Sequence, residues 1–212
     1  MRAMLFDVFG TCVDWRTSIR REAERFGLPP EIADAWRAEY QPQLETVRSR
    51  RRPWVNLDVL HRIGLDKVLK DMDLTIPEHE RQELTLAWHR LDPWPDVVEG
   101  LTKLKGRRII APCSNGHIAQ STNLAKYAKL PWDAILGAEI AHAYKPDPKV
   151  YTQSVEALGL EPHEVCMVAA HRDDLIAAKA VGLQTAFVPR PQEPEGPPFE
   201  ADFVAWDFLE LP

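Results

Sequence analysis

The chain has few cysteines and no long apolar run. Only three of its 212 residues are cysteines, Cys12, Cys113 and Cys166, and no two of them form a Cys-x-x-Cys pair. An odd number of separated cysteines excludes a disulfide framework and a cysteine zinc site, and it is typical of a protein whose thiols stay reduced. No stretch approaches the length of a membrane span, and no apolar leader precedes the first acid, Asp7. We therefore expect a soluble, cytoplasmic protein.

The sequence also lacks an excess of positive charge. Its formal net charge is -6, and a partner rich in phosphates would need a basic face. We therefore expect no nucleic-acid partner and no membrane partner. A hydrophobic share of 45% with 27% charged residues is ordinary for a globular protein, and the length allows one domain with an insertion or two small domains.

What the sequence does contain is an alternation of apolar runs and helical patterns. Residues 3–8, Ala-Met-Leu-Phe-Asp-Val, predict a buried parallel strand with an acid at its carboxyl end. Further strands are predicted at 107–112, 134–137, 164–169 and 184–188, and helices at 96–105, 117–129, 147–158 and 173–181. This alternation predicts an α/β fold with a Rossmann-like, doubly wound parallel sheet.

Residues 15–92 follow a different pattern. Helices are predicted at 15–27, 30–50, 54–71 and 77–91, separated by proline- and glycine-containing breaks, and no strand pattern interrupts them. We therefore predict an all-helical cap, 15–92, inserted into a discontinuous core of 1–14 and 93–212. A proline-rich run, 189–198, is predicted as a surface linker into a short last element at 202–209.

Four short motifs fall at the ends of predicted strands. They are Asp7-x-x-Gly10-Thr11, Ser114-Asn115-Gly116, Lys145-Pro146-Asp147 and Asp173-Asp174. The carboxyl ends of parallel strands meet at one edge of the sheet, where ligands bind, so we expect these side chains to lie together. A carboxylate at the end of a buried strand is costly unless it is paired or functional, and Asp7 is therefore predicted to be functional.

In order and spacing these motifs resemble the haloacid dehalogenase superfamily, and most of all its type II (L-2-)haloacid dehalogenases. The resemblance covers nearly the whole chain and is supported by Tyr144-Lys145-Pro146-Asp147 with Tyr151 and by Trp36-Arg37. It implies a hydrolase that cleaves the carbon–halogen bond of small 2-haloacids through an ester on Asp7. It also implies that the enzyme is a homodimer without a cofactor.

The resemblance further implies roles for individual residues. Lys145 keeps Asp7 ionised, and Asp174, favoured over Asp173, orients Lys145 and activates water. Thr11 and Ser114, with main-chain N–H groups, bind the substrate carboxylate or the ester oxyanion. The substrate or halide site is implied to contain Arg37, Asn115 and Tyr151, and we place Phe9 and His171 in it as well. No metal ligand is implied.

Phe9 separates two kinds of chemistry. Phosphatases of this superfamily place a second aspartate two residues after the nucleophile, where it protonates a departing alkoxide. Phe9 cannot donate a proton, whereas a halide leaves without one and needs hydrogen-bond donors or cations. Phe9 therefore favours carbon–halogen cleavage. Two alternatives stay open: a Mg²⁺-dependent phosphatase that recruits the metal through Asp173 or Asp174, and a non-catalytic protein that binds a small acid or a partner.

The sequence departs from the family at 169–171. The family pattern Ser-Ser-Asn is replaced by Ala169-Ala170-His171, so a titratable imidazole stands where an amide is expected. We hypothesise that His171 donates a hydrogen bond to the substrate carboxylate or the halide, or acts as a base, and thereby tunes the substrate preference. A purely structural histidine is the alternative.

Overall fold

A six-stranded parallel sheet forms the centre of the computed structural model, which describes residues 1–194 and 196–212. Its strands are β1 (Ala3–Phe6), β4 (Ile109–Ser114), β5 (Leu136–Gly137), β6 (Val165–Ala169), β7 (Gln184–Phe187) and β8 (Phe203–Val204). They lie in the order β5-β4-β1-β6-β7-β8, and every neighbouring pair is parallel. Leu5 of β1 pairs with Ala111 on one side and Met167 on the other. The residue after β1 therefore lies in the middle of the carboxyl edge of the sheet.

Helices cover both faces of this sheet because β1 is apolar on both. The helices of this part of the chain are α5 (Val97–Lys105), α6 (Ile118–Ala128), α7 (Ala138–Ala141), α8 (Pro148–Ala157) and α9 (Arg172–Ala180). Met4 and Phe6 belong to an apolar cluster with side chains of α5 and α6. Ala3 and Leu5 belong to a second cluster with side chains of α8 and α9. The predicted α/β fold with a doubly wound sheet is thus confirmed.

A helical segment is inserted between two short strands, β2 (Val13–Asp14) and β3 (Asp92–Pro93), which pair antiparallel. Its helices are α1 (Trp15–Arg25), α2 (Ile32–Arg48), α3 (Leu57–Asp71) and α4 (Glu78–Thr85). Trp36 and Leu44 of α2 share an apolar cluster with Phe6 of the sheet. The division into a core, 1–14 with 93–212, and a cap, 15–92, stays a prediction, and the β2–β3 pair at both ends of the segment supports it.

Every strand of the core differs from its predicted bounds by at least one residue, and two of these differences concern site residues. The strand predicted at 3–8 ends at Phe6: the Asp7 N–H still donates to the Val168 carbonyl at 3.0 Å, but the Val8 carbonyl already accepts from Cys12 in a turn. The strand predicted at 107–112 runs from Ile109 to Ser114, because the N–H of Arg107 donates to the Leu104 carbonyl and closes α5. Asp7 therefore lies just beyond a strand end, and Ser114 lies on one.

The helical predictions also needed correction. The helix predicted at 77–91 ends at Thr85 and continues as a 3-10 turn, Leu86–His89, which buries Trp88 and His89. The short helix α7 was not predicted, and the strand predicted at 134–137 contains only Leu136–Gly137. The element predicted at 202–209 is β8 followed by turns. No helix in the described ranges is long and apolar enough to cross a membrane.

The proline-rich run, 189–198, is not a plain surface linker. The side chains of Arg190 and Glu193 are only 5% and 8% exposed, and both form ion pairs with other parts of the chain. Glu195, in the same run, lies outside the described residues. The prediction was wrong for Arg190 and Glu193 because composition does not reveal the distant partners that allow a charge to be buried.

Candidate active site

Asp7 begins the loop that follows β1. The loop turns at Gly10, whose φ of +88° lies in the left-handed region that favours glycine. A Cβ atom at Gly10 would lie 2.6 Å from the carboxyl group of Glu193, so this position also needs glycine for space. The Nε1–H of Trp94 donates to the Gly10 carbonyl at 2.9 Å, and Nε–H of Arg190 donates to the Thr11 carbonyl at 2.9 Å. These bonds fix the backbone around Asp7 and Thr11.

Both carboxylate oxygens of Asp7 accept hydrogen bonds. The N–H of Ala170 donates to Thr11 Oγ1 at 2.9 Å, and the Thr11 hydroxyl donates to Asp7 Oδ2 at 2.7 Å. Lys145 Nζ donates to Asp7 Oδ1 at 3.3 Å. Burial alone would raise the pKa of Asp7, but the charge of Lys145 and the hydrogen bond with His171 hold it below the ordinary value. Asp7 is therefore a carboxylate at neutral pH, as a nucleophile must be.

Lys145 has a second carboxylate partner, Asp174. Lys145 Nζ donates to Asp174 Oδ2 at 2.6 Å, and the Tyr151 hydroxyl donates to Asp174 Oδ1 at 2.5 Å. Burial alone would lower the pKa of Lys145, but the charges of Asp174 and Asp7 raise it. Burial, together with the charge of Asp7, raises the pKa of Asp174. Asp173 is exposed, so only Asp174 of the two predicted acids reaches this cluster.

His171 lies on the other side of Asp7, between two carboxylates. Its Nδ1 is 3.0 Å from Asp7 Oδ2, and its Nε2 is 2.7 Å from Glu193 Oε2. Burial alone would lower the pKa of His171, but the hydrogen bonds to Asp7 and Glu193 raise it to about 10. The ring is therefore an imidazolium at neutral pH and donates from both nitrogens. The sequence reasoning missed Glu193, whose only signal was an acid inside a proline-rich run.

Asn115 joins the sheet to α2. Its Oδ1 accepts from the Lys145 backbone N–H at 2.8 Å, and its Nδ2 donates to the Tyr40 hydroxyl at 2.9 Å. Tyr40 was not predicted, although its position one helical turn after Arg37 on α2 was a usable signal. Ser114, at the end of β4, accepts from the Gly116 N–H at 3.2 Å within its own turn. Ser114 is thus placed at the carboxyl edge, with its oxygen turned to the loop that carries Asn115.

Arg37 and Phe9 contact aromatic side chains of the helical segment. The Arg37 guanidinium lies 4.3 Å from the centre of the Tyr40 ring and 5.2 Å from that of Trp15. Its Nη1 is buried and has no hydrogen-bond partner among the residues the structure describes. Phe9 packs edge-on against Trp88, with ring centres 5.8 Å apart. A buried guanidinium nitrogen without a partner suits an anionic ligand.

The donor set around Asp7 does not suit a divalent cation. Phe9 offers no oxygen ligand, and both oxygens of Asp174 already accept from Lys145 and Tyr151. Elsewhere in the described ranges, one group of possible metal ligands comprises Asp58, His89 and His117, whose ligand atoms lie within 4.8 Å of one another.

In that group the Asp58 carboxylate is already occupied by imidazoles. His89 Nε2 lies 2.9 Å from Asp58 Oδ1, and His117 Nε2 lies 3.4 Å from Asp58 Oδ2. The amide nitrogen of Asn123 lies 3.0 Å from His89 Nδ1 and donates to it. The proton of the His89 ring is then on Nε2, the nitrogen that faces Asp58. We interpret the group as a hydrogen-bonded link between the helical segment and α6.

The fold and site together define an α/β hydrolase with an aspartate after its central strand. The chain belongs to the haloacid dehalogenase-like hydrolase family, whose model matches residues 1–182. It is 30% identical to (S)-2-haloacid dehalogenase 4A of Burkholderia cepacia over 208 residues, which are 96% of this chain and 88% of that protein. The family predicted from the motifs is confirmed.

Two solved structures are similar over nearly the whole chain. The defluorinating L-2-haloacid dehalogenase Rha0230 is 44% identical, with a TM-score of 0.94 over 99% of this chain and 92% of that one. The L-2-haloacid dehalogenase PA0810 is 43% identical, with a TM-score of 0.92 over 99% of this chain and 96% of that one.

Proposed function

We propose that this protein hydrolyses the carbon–halogen bond of small 2-haloacids, releasing halide and a 2-hydroxy acid. The observation that carries the proposal is the buried, ionised Asp7 carboxylate, followed two positions later by Phe9 rather than by an acid. The similarity to haloacid dehalogenases over nearly the whole chain supports the same reaction.

In the first step Asp7 attacks C2 of the substrate. Oδ2 accepts from Thr11 and His171, whereas Oδ1 accepts one longer bond from Lys145, so Oδ1 is the more available oxygen. A bond forms between Oδ1 and C2 while the carbon–halogen bond breaks, and the halide leaves with the bonding electrons. Oδ2 becomes the carbonyl oxygen of the resulting ester.

In the second step water hydrolyses this ester. Water attacks Cγ of Asp7, and the charge that develops on Oδ2 is stabilised by the donors on Thr11 and His171. Asp174, whose pKa is raised by burial, takes the proton of the water and returns it to the departing alkoxide. The bond between Cγ and Oδ1 breaks, so the 2-hydroxy acid leaves with Oδ1 and Asp7 keeps the water oxygen.

The remaining predicted residues bind the substrate. Arg37, which has a buried nitrogen without a partner among the described residues, binds the carboxylate or the departing halide. Asn115, Ser114 and Tyr151 shape the same crevice, and Phe9 provides an apolar wall. The helical segment, 15–92, acts as a cap that excludes water during the displacement.

A panel of haloacids tests the function directly. We expect halide release from chloroacetate, bromoacetate or L-2-chloropropionate that a chelator does not reduce, since no metal is needed. Asp7→Asn should abolish it, by at least about 10³-fold, because a nucleophile is removed. Asp173→Asn is the matched control, since Asp173 is exposed and should leave the rate unchanged. Chelator-sensitive hydrolysis of a phosphate ester without halide release would contradict the proposal.

We also propose that the protein is a cytoplasmic homodimer that works without a cofactor. Light scattering of the purified protein tests the oligomeric state, and a mass of about one chain, 24.2 kDa, would contradict the dimer.

A further inference from the structure

Glu193 is a buried acid that the mechanism above does not use. It comes from the proline-rich run, yet its carboxylate lies over the loop after β1, against Gly10. Oε2 is 2.7 Å from His171 Nε2, and Oε1 accepts from the Trp15 Nε1–H at 2.7 Å. Its side chain is only 8% exposed. Both oxygens therefore have fixed partners, one from the sheet side and one from α1.

The contacts determine how the His171 ring can be oriented. One ring nitrogen faces Asp7 and the other faces Glu193, so an ion pair holds each side. Lys145, Arg37 and Arg16 are the cations that lie beyond these two acids. With an acid at Nε2 as well as at Nδ1, the His171 ring is most stable when it carries protons on both nitrogens. Nδ1–H then stays directed at Asp7 Oδ2.

We propose that Glu193 is a positioning residue, which holds His171 as an imidazolium so that Nδ1–H stabilises the oxyanion formed on Asp7 Oδ2 during ester hydrolysis. This inference rests on the proposed function. It assigns Glu193 to the second chemical step. In the first step Oδ2 loses negative charge and in the second it regains it, so a fixed cation at Oδ2 favours hydrolysis over ester formation.

Glu193→Gln tests the inference with little change in shape. The amide removes the negative charge. Because Trp15 and His171 contact different oxygens of Glu193, one of these two donors would face an NH2 group that cannot accept. The pKa of His171 should fall, so the ring should lose its proton at a lower pH than in wild type. Loss of one oxyanion donor costs about 10²–10³-fold in other enzymes, and a weakened donor should cost about 10- to 100-fold.

The assay separates the two steps as a function of pH. In single-turnover reactions with bromoacetate, bromide release reports ester formation and glycolate reports hydrolysis. We expect Glu193→Gln to form the ester at nearly the wild-type rate but to hydrolyse it about 10- to 100-fold more slowly at pH 9 than wild type. The deficit should shrink towards pH 6. Glu200→Gln, an exposed acid of the same region, is the matched control and should behave as wild type.

A structural readout keeps the inference independent of activity. The ¹⁵N chemical shifts of His171 should report a doubly protonated ring in wild type up to about pH 9 and a singly protonated ring in Glu193→Gln at that pH. If Glu193→Gln fails to fold, Trp15→Phe removes one donor to Glu193 and keeps an aromatic ring. Trp15→Phe should also slow hydrolysis, by less than 10-fold.

The outcomes separate the two proposals. If wild type releases no halide, the proposed function fails whatever Glu193 does. If wild type releases halide while Glu193→Gln keeps both the pH profile of hydrolysis and the His171 shifts of wild type, the positioning role of Glu193 is overturned.

Discussion

Arg190→Met should destabilise the fold and loosen the loop that carries Thr11. Arg190 forms two parallel bonds to Asp96, Nη1 to Oδ1 at 2.8 Å and Nη2 to Oδ2 at 2.9 Å, and its Nε–H holds the Thr11 carbonyl. The Asp96 side chain is 14% exposed. After the substitution, Asp96 keeps the Phe208 N–H as its remaining partner from outside its own helix among the described residues. A largely buried carboxylate is then left without its cation.

The size of the effect follows from this geometry. Removing one partner of a buried ion pair costs about 3–5 kcal/mol, because the remaining charge is no longer compensated. In a chain of this length 1 kcal/mol shifts the Tm by about 2–4 °C. We therefore expect the Tm of Arg190→Met to fall by about 6–20 °C. Arg107→Met is the matched control, since Arg107 is exposed, and should change stability by less than about 0.5 kcal/mol.

Urea unfolding measures the loss, and pH identifies its cause. Arg190 holds the pKa of Asp96 below its ordinary value despite burial, which would raise it. Such a group stabilises the fold above its unfolded pKa, about 3.9, and the contribution is lost as the pH falls through the lower folded value. The difference between wild type and Arg190→Met should be full at pH 7 and shrink below about pH 4.

A double variant completes this test. Arg190→Met with Asp96→Asn should be more stable than Arg190→Met alone, because the uncompensated charge is removed. A loss below about 1 kcal/mol for Arg190→Met at pH 7, or no recovery in the double variant, would refute the argument.

Two further predictions concern Asp174 in the site and Asp58 in the link between the helical segment and α6. Tyr151→Phe removes the hydroxyl that donates to Asp174 and should slow ester hydrolysis about 10-fold in single-turnover assays; an unchanged hydrolysis rate would contradict the assigned contact. Asp58→Asn leaves one acceptor for two imidazole N–H groups and should lower the free energy of unfolding by about 1–3 kcal/mol at pH 7 in urea titrations. The His117 and His89 hydrogen bonds lower the pKa of Asp58 against the effect of burial. The difference in unfolding free energy between wild type and Asp58→Asn should therefore disappear when the pH is lowered and persist when it is raised.

Much of the fold was predictable because the signals are local. The apolar run with Asp7 near its end and the alternation after residue 93 depend on side chains close in sequence, and both gave the parallel sheet. The errors lie at the ends of helices and strands, where a single hydrogen bond determines which residue begins or ends the element. The N–H of Arg107 on the Leu104 carbonyl, for example, delays the start of β4 by two residues. Neither the composition nor the periodicity of the sequence predicts such a bond.

The site was predictable only where a motif contained its residues. Asp7, Thr11, Lys145 and Asp174 were assigned from motifs at strand ends, and the structure brings them into direct contact. Glu193 reaches His171 from 22 residues away, and its chain segment has no helical or strand pattern. Its proline-rich composition predicts an exposed linker. The ion pair with His171 and the hydrogen bond from Trp15 make its burial favourable, and both exist only in the folded chain.

The arrangement of charges limits where an anionic substrate can bind. Carboxylates and cations alternate along one row of contacting side chains: Tyr151, Asp174, Lys145, Asp7, His171, Glu193 and Trp15. Three carboxylates alternate with two cations, so the row has no excess of positive charge that could attract a 2-haloacid anion. The Asn115 amide already bonds Lys145 and Tyr40. We therefore expect Arg37, whose buried Nη1 has no partner within the described ranges, to be the main group that attracts the substrate anion.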